Sequence, residues 1–141
     1  MPAVKPVPEG FHTITPHIVV KGAARAIEFY AKAFGAQEHG RHQMPDGTIM
    51  HAALKIGDSM IMLNDEFPDM NVRGPLSIGG TAVTIHLYVP DVDQAFDRAV
   101  KAGAKVTFPL ADQFWGDRYG QLTDPFGFTW SIGASLAPPT E

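Results

Sequence analysis

One stretch of this chain occurs twice. Thr15 to Ala33 aligns with Thr84 to Ala102 at a constant offset of 69 residues, and six of the nineteen aligned positions are identical: Thr15/Thr84, His17/His86, Val20/Val89, Ala26/Ala95, Lys32/Lys101 and Ala33/Ala102. Most of the others keep their class, as in Ile18/Leu87, Ile27/Phe96 and Glu28/Asp97. Such a repeat restricts the chain to a fold assembled from two copies of one supersecondary unit. A length of 141 residues makes both copies parts of one small domain. The expectation is two modules facing each other across a cleft where chemistry would sit, with a histidine on a strand in each half.

The hydrophobic pattern sets the elements within each copy. From about Phe11 to Val20 the even positions Ile14, Pro16, Ile18 and Val20 are apolar and alternate with Thr13, Thr15 and His17. This period of two predicts a strand with one packed face and one different face. Ala82 to Val89 repeats it, with Val83, Ile85, Leu87 and Val89 on one face and Thr84, His86 and Tyr88 on the other. Each strand leads into a helix. Ala23 to Phe34 carries Ala26, Ile27, Tyr30, Ala33 and Phe34 at helical spacing and is stopped by Gly35. Asp91 to Ala102 carries Val92, Ala95, Phe96, Ala99 and Val100 likewise, with Asp91 as N-cap and Gly103 as the stop.

Short strands follow each helix. They are Ala36 to Gln43, Thr48 to Ile56 and Ser59 to Asn64 in the first half, and Lys105 to Phe108, Tyr119 to Thr123 and Phe128 to Ile132 in the second. Turn signals separate them at Pro45-Asp46-Gly47, Gly57-Asp58, Gly116-Asp117 and Asp124-Pro125-Phe126-Gly127. The order βαβββ, twice, gives a single α+β domain over 11–133, with modules 11–64 and 81–133. The connection 65–80 is long and either crosses the fold or contributes to the site. Residues 1–10, with three prolines, are expected to form an extended arm, and 134–141 a loose tail.

The formal net charge of −4, with no run of Lys or Arg, argues against a nucleic-acid partner. No segment reaches the roughly 18 to 20 apolar residues that span a bilayer. The polar, Pro-rich start has no apolar stretch that could serve as a secretory signal. Cytoplasm is the default location. Cysteine is absent, which excludes disulfides and thiolate ligands.

Local motifs then carry a resemblance. They are the Phe29-Tyr30 helix end with Phe34-Gly35-Ala36, the Val89-Pro90-Asp91-Val92-Asp93 entry to the second helix, and Gly103-Ala104. Above all, Trp115-Gly116-Asp117-Arg118-Tyr119-Gly120 is followed by Asp124-Pro125-Phe126-Gly127-Phe128-Thr129-Trp130. On these residues the chain from about Ile14 to Gly133 resembles the vicinal oxygen chelate superfamily, the glyoxalase/bleomycin-resistance fold, and its last motif looks like the PhnB-like branch. The resemblance implies half-barrels that curl a mixed sheet around a central cleft, helices outside, ligands in the concavity and, in many members, a homodimer. Metal-dependent members draw ligands from the first and last strands of each module. By this resemblance those positions fall on Thr15, Thr84, about Met62 and Ser131. None is a usual ligand for a divalent ion, which wants His, Glu or Asp. Glyoxalase I activity and a metal held at those four positions are therefore not expected.

Strand parity supplies the candidate site. Residues two apart share a face, so His17 and His86 accompany Thr15 and Thr84. A tight turn at Gly57-Asp58 pairs Ile56 with Ser59, which puts Lys55 with Met60, Ala53 with Met62 and His51 with Asn64 on the other face. His17, His51 and His86 are expected to share one concavity with Thr15, Thr84, Thr129, Ser131, Asn64 and Met62. Three readings stay open. The histidines form a displaced metal site for zinc or iron, with Asp65 or Glu66 as carboxylate. They line a metal-free pocket in which one acts as proton carrier or hydrogen-bonds a ligand. Or they are partly buried side chains satisfied by neighbouring hydroxyls. His12 and His42 are expected on the surface.

Trp115, Arg118 and Tyr119 could cap a flat or anionic ligand by stacking and bidentate hydrogen bonding. Alternatively Trp115 plugs the barrel end and Arg118 pairs with Asp117 or Asp124. Phe126, Phe128 and Trp130 are expected in the core. Met44, Met50, Met60, Met62 and Met70 suit either an adaptable pocket or ordinary core filling. The function expected from these residues is binding of a small organic molecule, to sequester it or transform it, with His17 or His86 as proton carrier if the site is catalytic. Thr15, Thr84 and Ser131 would hold the substrate. The alternative is a metal-dependent lyase, isomerase or dioxygenase that uses the shifted histidines.

Overall fold

Strand β1 (His17–Val20) leads into helix α1 (Ala23–Phe34), then β2 (Gln37–Gln43), β3 (Ile49–Ile56) and β4 (Ser59–Asp65) in a computed structural model that describes residues 4–136. A single 3-10 turn (Pro68–Met70) and the short helix α2 (Pro75–Ile78) occupy the connection. Strand β5 (Thr84–Tyr88), helix α3 (Val92–Ala102), β6 (Lys105–Asp112), β7 (Asp117–Thr123) and β8 (Thr129–Ser135) complete the chain. The two four-stranded sheets have orders β1-β4-β3-β2 and β5-β8-β7-β6. In each, the first strand pairs in parallel with the last and the remaining pairs are antiparallel. This is the βαβββ unit twice over, an α+β fold. Two compact units result, Met1–Ala31 with Gly35–Gly74, and Lys32–Phe34 with Pro75–Glu141.

The helices obey their sequence signals. Gly35 ends α1 in the left-handed conformation at φ 69°, and its N–H returns to the Ala31 carbonyl. The Asp91 side chain caps α3 by accepting from the Gln94 N–H. Helix α1 lacks a cap of its own, because Gly22 precedes it. Asp65, at the end of β4, supplies one: its carboxylate accepts from the N–H groups of Gly22 and Ala23 on one oxygen and from Ile49 on the other. One side chain thus fixes α1 and the start of β3 to the last strand.

In the first unit Ile18, Val20, Ala52, Leu54, Ile56, Ile61 and Leu63 form the covered sheet face. In the second, α3 lays Val92, Phe96 and Ala99 over Leu122, Trp130 and Ile132. Phe128 and Phe126 are also buried, as their parity and turn predict, and Trp130 lies 4.4 Å from Phe34. Burying each such side chain contributes about 1.5–3 kcal/mol. Gly120 has no alternative: a Cβ there would stand 2.6 Å from the Phe96 ring.

Three boundaries differ from the sequence reading by three residues or more. Strand β1 begins at His17, level with Met62 of β4, rather than at Phe11, and residues 11–13 lie beyond the start of β4 at Ser59. Upstream residues soon run out of partner strand, and Pro16 has no N–H to give. Strand β6 runs on through Pro109 to Asp112, which an edge strand with register shifts tolerates. Strand β8 continues past Ile132 to Ser135, so the tail starts later than 134. Residues 4–10 of the N-terminal arm hold no helix or strand, and the rest of both termini lies outside the described residues.

Candidate functional site

Each sheet has one face less covered than the other, and strand register decides which side chains stand on it. In the first unit His17 of β1 is level with Met62 of β4, and Met62 is level with Ala53 of β3. Register and parity thus bring His17, His51, Met62 and Asn64 to one face, as read from the sequence. The contacts bear this out. The ring nitrogen Nε2 of His17 lies 2.5 Å from the Asn64 amide oxygen, and His51 Nε2 lies 3.1 Å from the Met62 sulfur. The two imidazoles meet edge to face at 5.9 Å. Asn64 is buried and donates its NH2 to the Asp65 carbonyl. That bond fixes the amide, so Oδ1 faces His17 and Nε2 of His17 is the protonated nitrogen.

The second unit repeats the register with different chemistry. His86 is level with Ser131, again 69 residues on from His17 and Met62. His86 Nδ1 shares a 2.6 Å hydrogen bond with the Ser131 hydroxyl, which is only 1% exposed. The position equivalent to Asn64 is Gly133, and a Cβ there would sit 3.1 Å from Cε1 of His86. The missing side chain makes room for the imidazole. Tyr119 of β7 stacks on His86 at 5.7 Å, Tyr88 meets it edge-on at 4.4 Å, and Gln121 donates to the Tyr119 hydroxyl. Phe108 and Trp115 flank Tyr119 at 6.1 and 5.5 Å, and Phe114 adjoins Trp115 at 5.2 Å. The result is a continuous run of six rings, with Tyr88 72% and Trp115 48% exposed. Burial holds the His86 imidazole below its ordinary pKa, and the nearby Asp117 carboxylate opposes this in part. His86 is therefore neutral at pH 7, able to accept a hydrogen bond or a proton.

Other candidates stand elsewhere or apart. Thr15 lies ahead of β1, and its hydroxyl turns back to the His12 carbonyl at 3.4 Å. Thr84 is exposed on the His86 face, level with Thr129. His12 and His42 are exposed, as expected. Met60 is buried, Met62 half-buried, and Met44, Met50 and Met70 exposed.

Arg118 requires correction. It has the parity of Gly120 and Leu122, on the α3 side of the sheet, and its guanidinium grips Asp93 of α3 at 2.9–3.2 Å and Asp112 at 3.0 Å. It neither joins the aromatic run nor pairs with Asp117 or Asp124. Trp115 is 48% exposed, and its indole N–H donates to Asp117 at the end of the aromatic run.

The two carboxylates of the displaced metal reading are already engaged. Asp65 is committed to three backbone N–H groups, and Glu66 accepts from the Gly74 N–H. Among the described residues no group of three or more His, Cys, Asp and Glu side chains could hold a metal ion. The positions where relatives would supply such ligands carry two threonines, a thioether and a serine, which do not fit a divalent ion.

The signature motif explains itself structurally. Asp124 is 4% exposed and accepts from the N–H groups of Phe126 and Phe128 and from the Trp130 indole. It closes the β7–β8 turn and ties that turn to the largest core side chain. Tyr88, Phe108, Gln121 and Gly133 belong to the face but were not singled out as site residues. Only Tyr88 announced itself, by sharing the parity of His86.

The family model described as Glyoxalase/Bleomycin resistance protein/Dioxygenase superfamily matches residues 10–132. The Mycobacterium tuberculosis protein Rv0887c is 55% identical over 123 residues, covering 85% of this chain and 72% of its own length. The solved structure of the Arabidopsis thaliana At5g48480 product superposes with a TM-score of 0.70 at 28% identity, covering 86% of this chain and 98% of that one. The Bacillus cereus PhnB protein gives a TM-score of 0.70 at 18% identity, over 88% and 100% of the two chains, a likeness of fold alone.

Proposed function

We propose that this chain, which belongs to the Glyoxalase/Bleomycin resistance protein/Dioxygenase superfamily, binds a flat, partly aromatic organic molecule without the help of a divalent ion. The carrying observation is the run of exposed rings around His86 on the open face of the second sheet. Aromatic faces bind planar ligands by offset stacking, at about 0.5–1.5 kcal/mol per ring pair beyond burial. His86 Nε2 makes no hydrogen bond among the described residues, and in the tautomer whose Nδ1–H donates to the Ser131 hydroxyl it accepts a ligand's donor or its proton. Thr84 and Thr129 offer hydroxyls on the same face. This supports sequestration directly, and proton transfer by His86 where the ligand carries an acidic group.

We also read the protein as a homodimer. Exposed Leu76, Ile78 and Val83 of the second unit offer apolar side chains for such a contact.

The two tryptophans allow a clean test, since Trp130 is buried and Trp115 is not. Planar bicyclic heteroaromatics titrated in EDTA should quench Trp115 emission with saturable affinity. Trp115→Phe should abolish the response and Tyr119→Ala should weaken binding at least tenfold. Quenching that needs added divalent metal, or that survives both changes, would count against the proposal.

A further inference from the structure

We propose that His17, His51 and the thioether of Met62 form a binding site for one monovalent copper ion on the open face of the first sheet. The three side chains come from adjacent strands in fixed register and point to one face. His51 Nε2 and Met62 Sδ are 3.1 Å apart, and the His17 and His51 rings lie 5.9 Å apart at 89°. Metal–nitrogen and metal–sulfur bonds run to about 2.0 and 2.3 Å, so one ion can touch the nitrogen and the sulfur at an angle near 90° before anything moves. Two imidazoles on one ion place their ring centres roughly 5–6 Å apart by the same bond lengths. Met62 is half-buried and has three rotatable bonds, enough to open the angle towards trigonal.

The second argument is the support behind His17. Metal-bound imidazoles characteristically donate their other N–H to a fixed acceptor, which sets the tautomer. His17 has such an acceptor. Its Nε2 gives its proton to Asn64 Oδ1, and Asn64 is itself locked by donating to the Asp65 carbonyl. Asp65 in turn is held by three backbone N–H groups. The lone pair of His17 is thereby confined to Nδ1, which makes no hydrogen bond among the described residues. Binding needs His51 as the Nδ1–H tautomer, exchanging its contact with sulfur for two metal bonds.

The donor set chooses the metal. Two neutral imidazoles and a thioether, with no carboxylate, suit soft Cu(I) and serve zinc or iron(II) poorly. The second unit carries Tyr119, Ser131 and Gly133 at the matching positions, so it offers neither the sulfur nor the supporting amide.

The test uses the full chain under anaerobic conditions. Cu(I) competed against bicinchoninate should bind with one equivalent per chain. Met62→Leu and His51→Ala should each weaken it at least tenfold, and His42→Ala should leave it unchanged. Silver(I), as a redox-inert stand-in, should shift the Met62 methyl resonance of the unaltered protein and leave Met44, Met50 and Met70 in place. Wild-type affinity in Met62→Leu, or silver shifts spread over the exposed methionines instead, would overturn the proposal. Neither outcome bears on ligand binding at His86.

Discussion

Replacing Asp124 by alanine should unfold this protein far more readily than any change on its open sheet faces. The carboxylate is 4% exposed and accepts three hydrogen bonds, from Phe126 N, Phe128 N and the Trp130 indole. Alanine leaves all three donors buried and unanswered. Each orphaned donor costs about 1–3 kcal/mol. Taking the lower half of that range for the three donors gives a loss of about 3–6 kcal/mol, among the larger single-residue effects known. In a domain of this length that is a fall in Tm of roughly 10–20 °C. Asp124→Asn separates acceptor loss from volume loss. One oxygen can still serve Phe126 and Phe128, while the NH2 group confronts the indole donor. Its cost should fall between wild type and alanine, and the Trp130 indole N–H should lose protection from hydrogen exchange. Thermal melts and indole exchange read both effects. A fall below about 3 °C for alanine, or asparagine as damaging as alanine, would refute the argument that this motif is structural rather than chemical.

Further outcomes follow from the same contacts. Asp65→Ala removes the acceptor of Gly22, Ala23 and Ile49 and should cost about 2–3 kcal/mol in urea denaturation, since Asp65 itself is half-buried and water can take over part of its role. Gly133→Ala pushes a methyl to 3.1 Å from His86 Cε1, so it should displace the His86 resonances and weaken aromatic ligands while melting near wild type. His86 should titrate below about 6.5 by NMR, and Asp117→Asn should lower its midpoint further, because that carboxylate opposes the effect of burial. The sign for stability follows: the unfolded chain binds the proton more readily, so His86 contributes full stability above its unfolded pKa and loses it as pH falls through the folded value. Arg118→Ala should leave aromatic-ligand affinity unchanged, because the guanidinium stands on the α3 side with Asp93 and Asp112.

The fold could be read because its signals are local. Gly35, Asp91 and Gly103 mark helix ends by backbone chemistry that needs no tertiary partner. The tight turn at Gly57-Asp58 fixed the β3–β4 register, and with it the meeting of His51 and Met62. What could not be read depended on distant residues. Strand β1 runs only where it pairs with β4, and β6 passes Pro109 because it is an edge. Asp65 looked like a spare carboxylate beside the histidines, but three backbone donors claim it, one of them 43 residues away. Arg118 looked like a ligand clamp because it adjoins Tyr119, yet neighbours on a strand face opposite ways. The six-ring run joins β5, β6 and β7 with the loop residues Phe114 and Trp115, a juxtaposition that no single stretch of sequence displays.

The central claim is that an organic ligand, unaided by a divalent ion, rests on the rings around His86. Two-dimensional NMR of the isotopically labelled protein in EDTA, with a library of planar aromatic fragments, tests it most directly. The account predicts that binding fragments shift His86, Tyr88, Tyr119 and Trp115 together, and that added zinc or manganese leaves those affinities as they were. Fragments that move other residues, a face that no fragment perturbs, or affinities that appear only with the metal would contradict it.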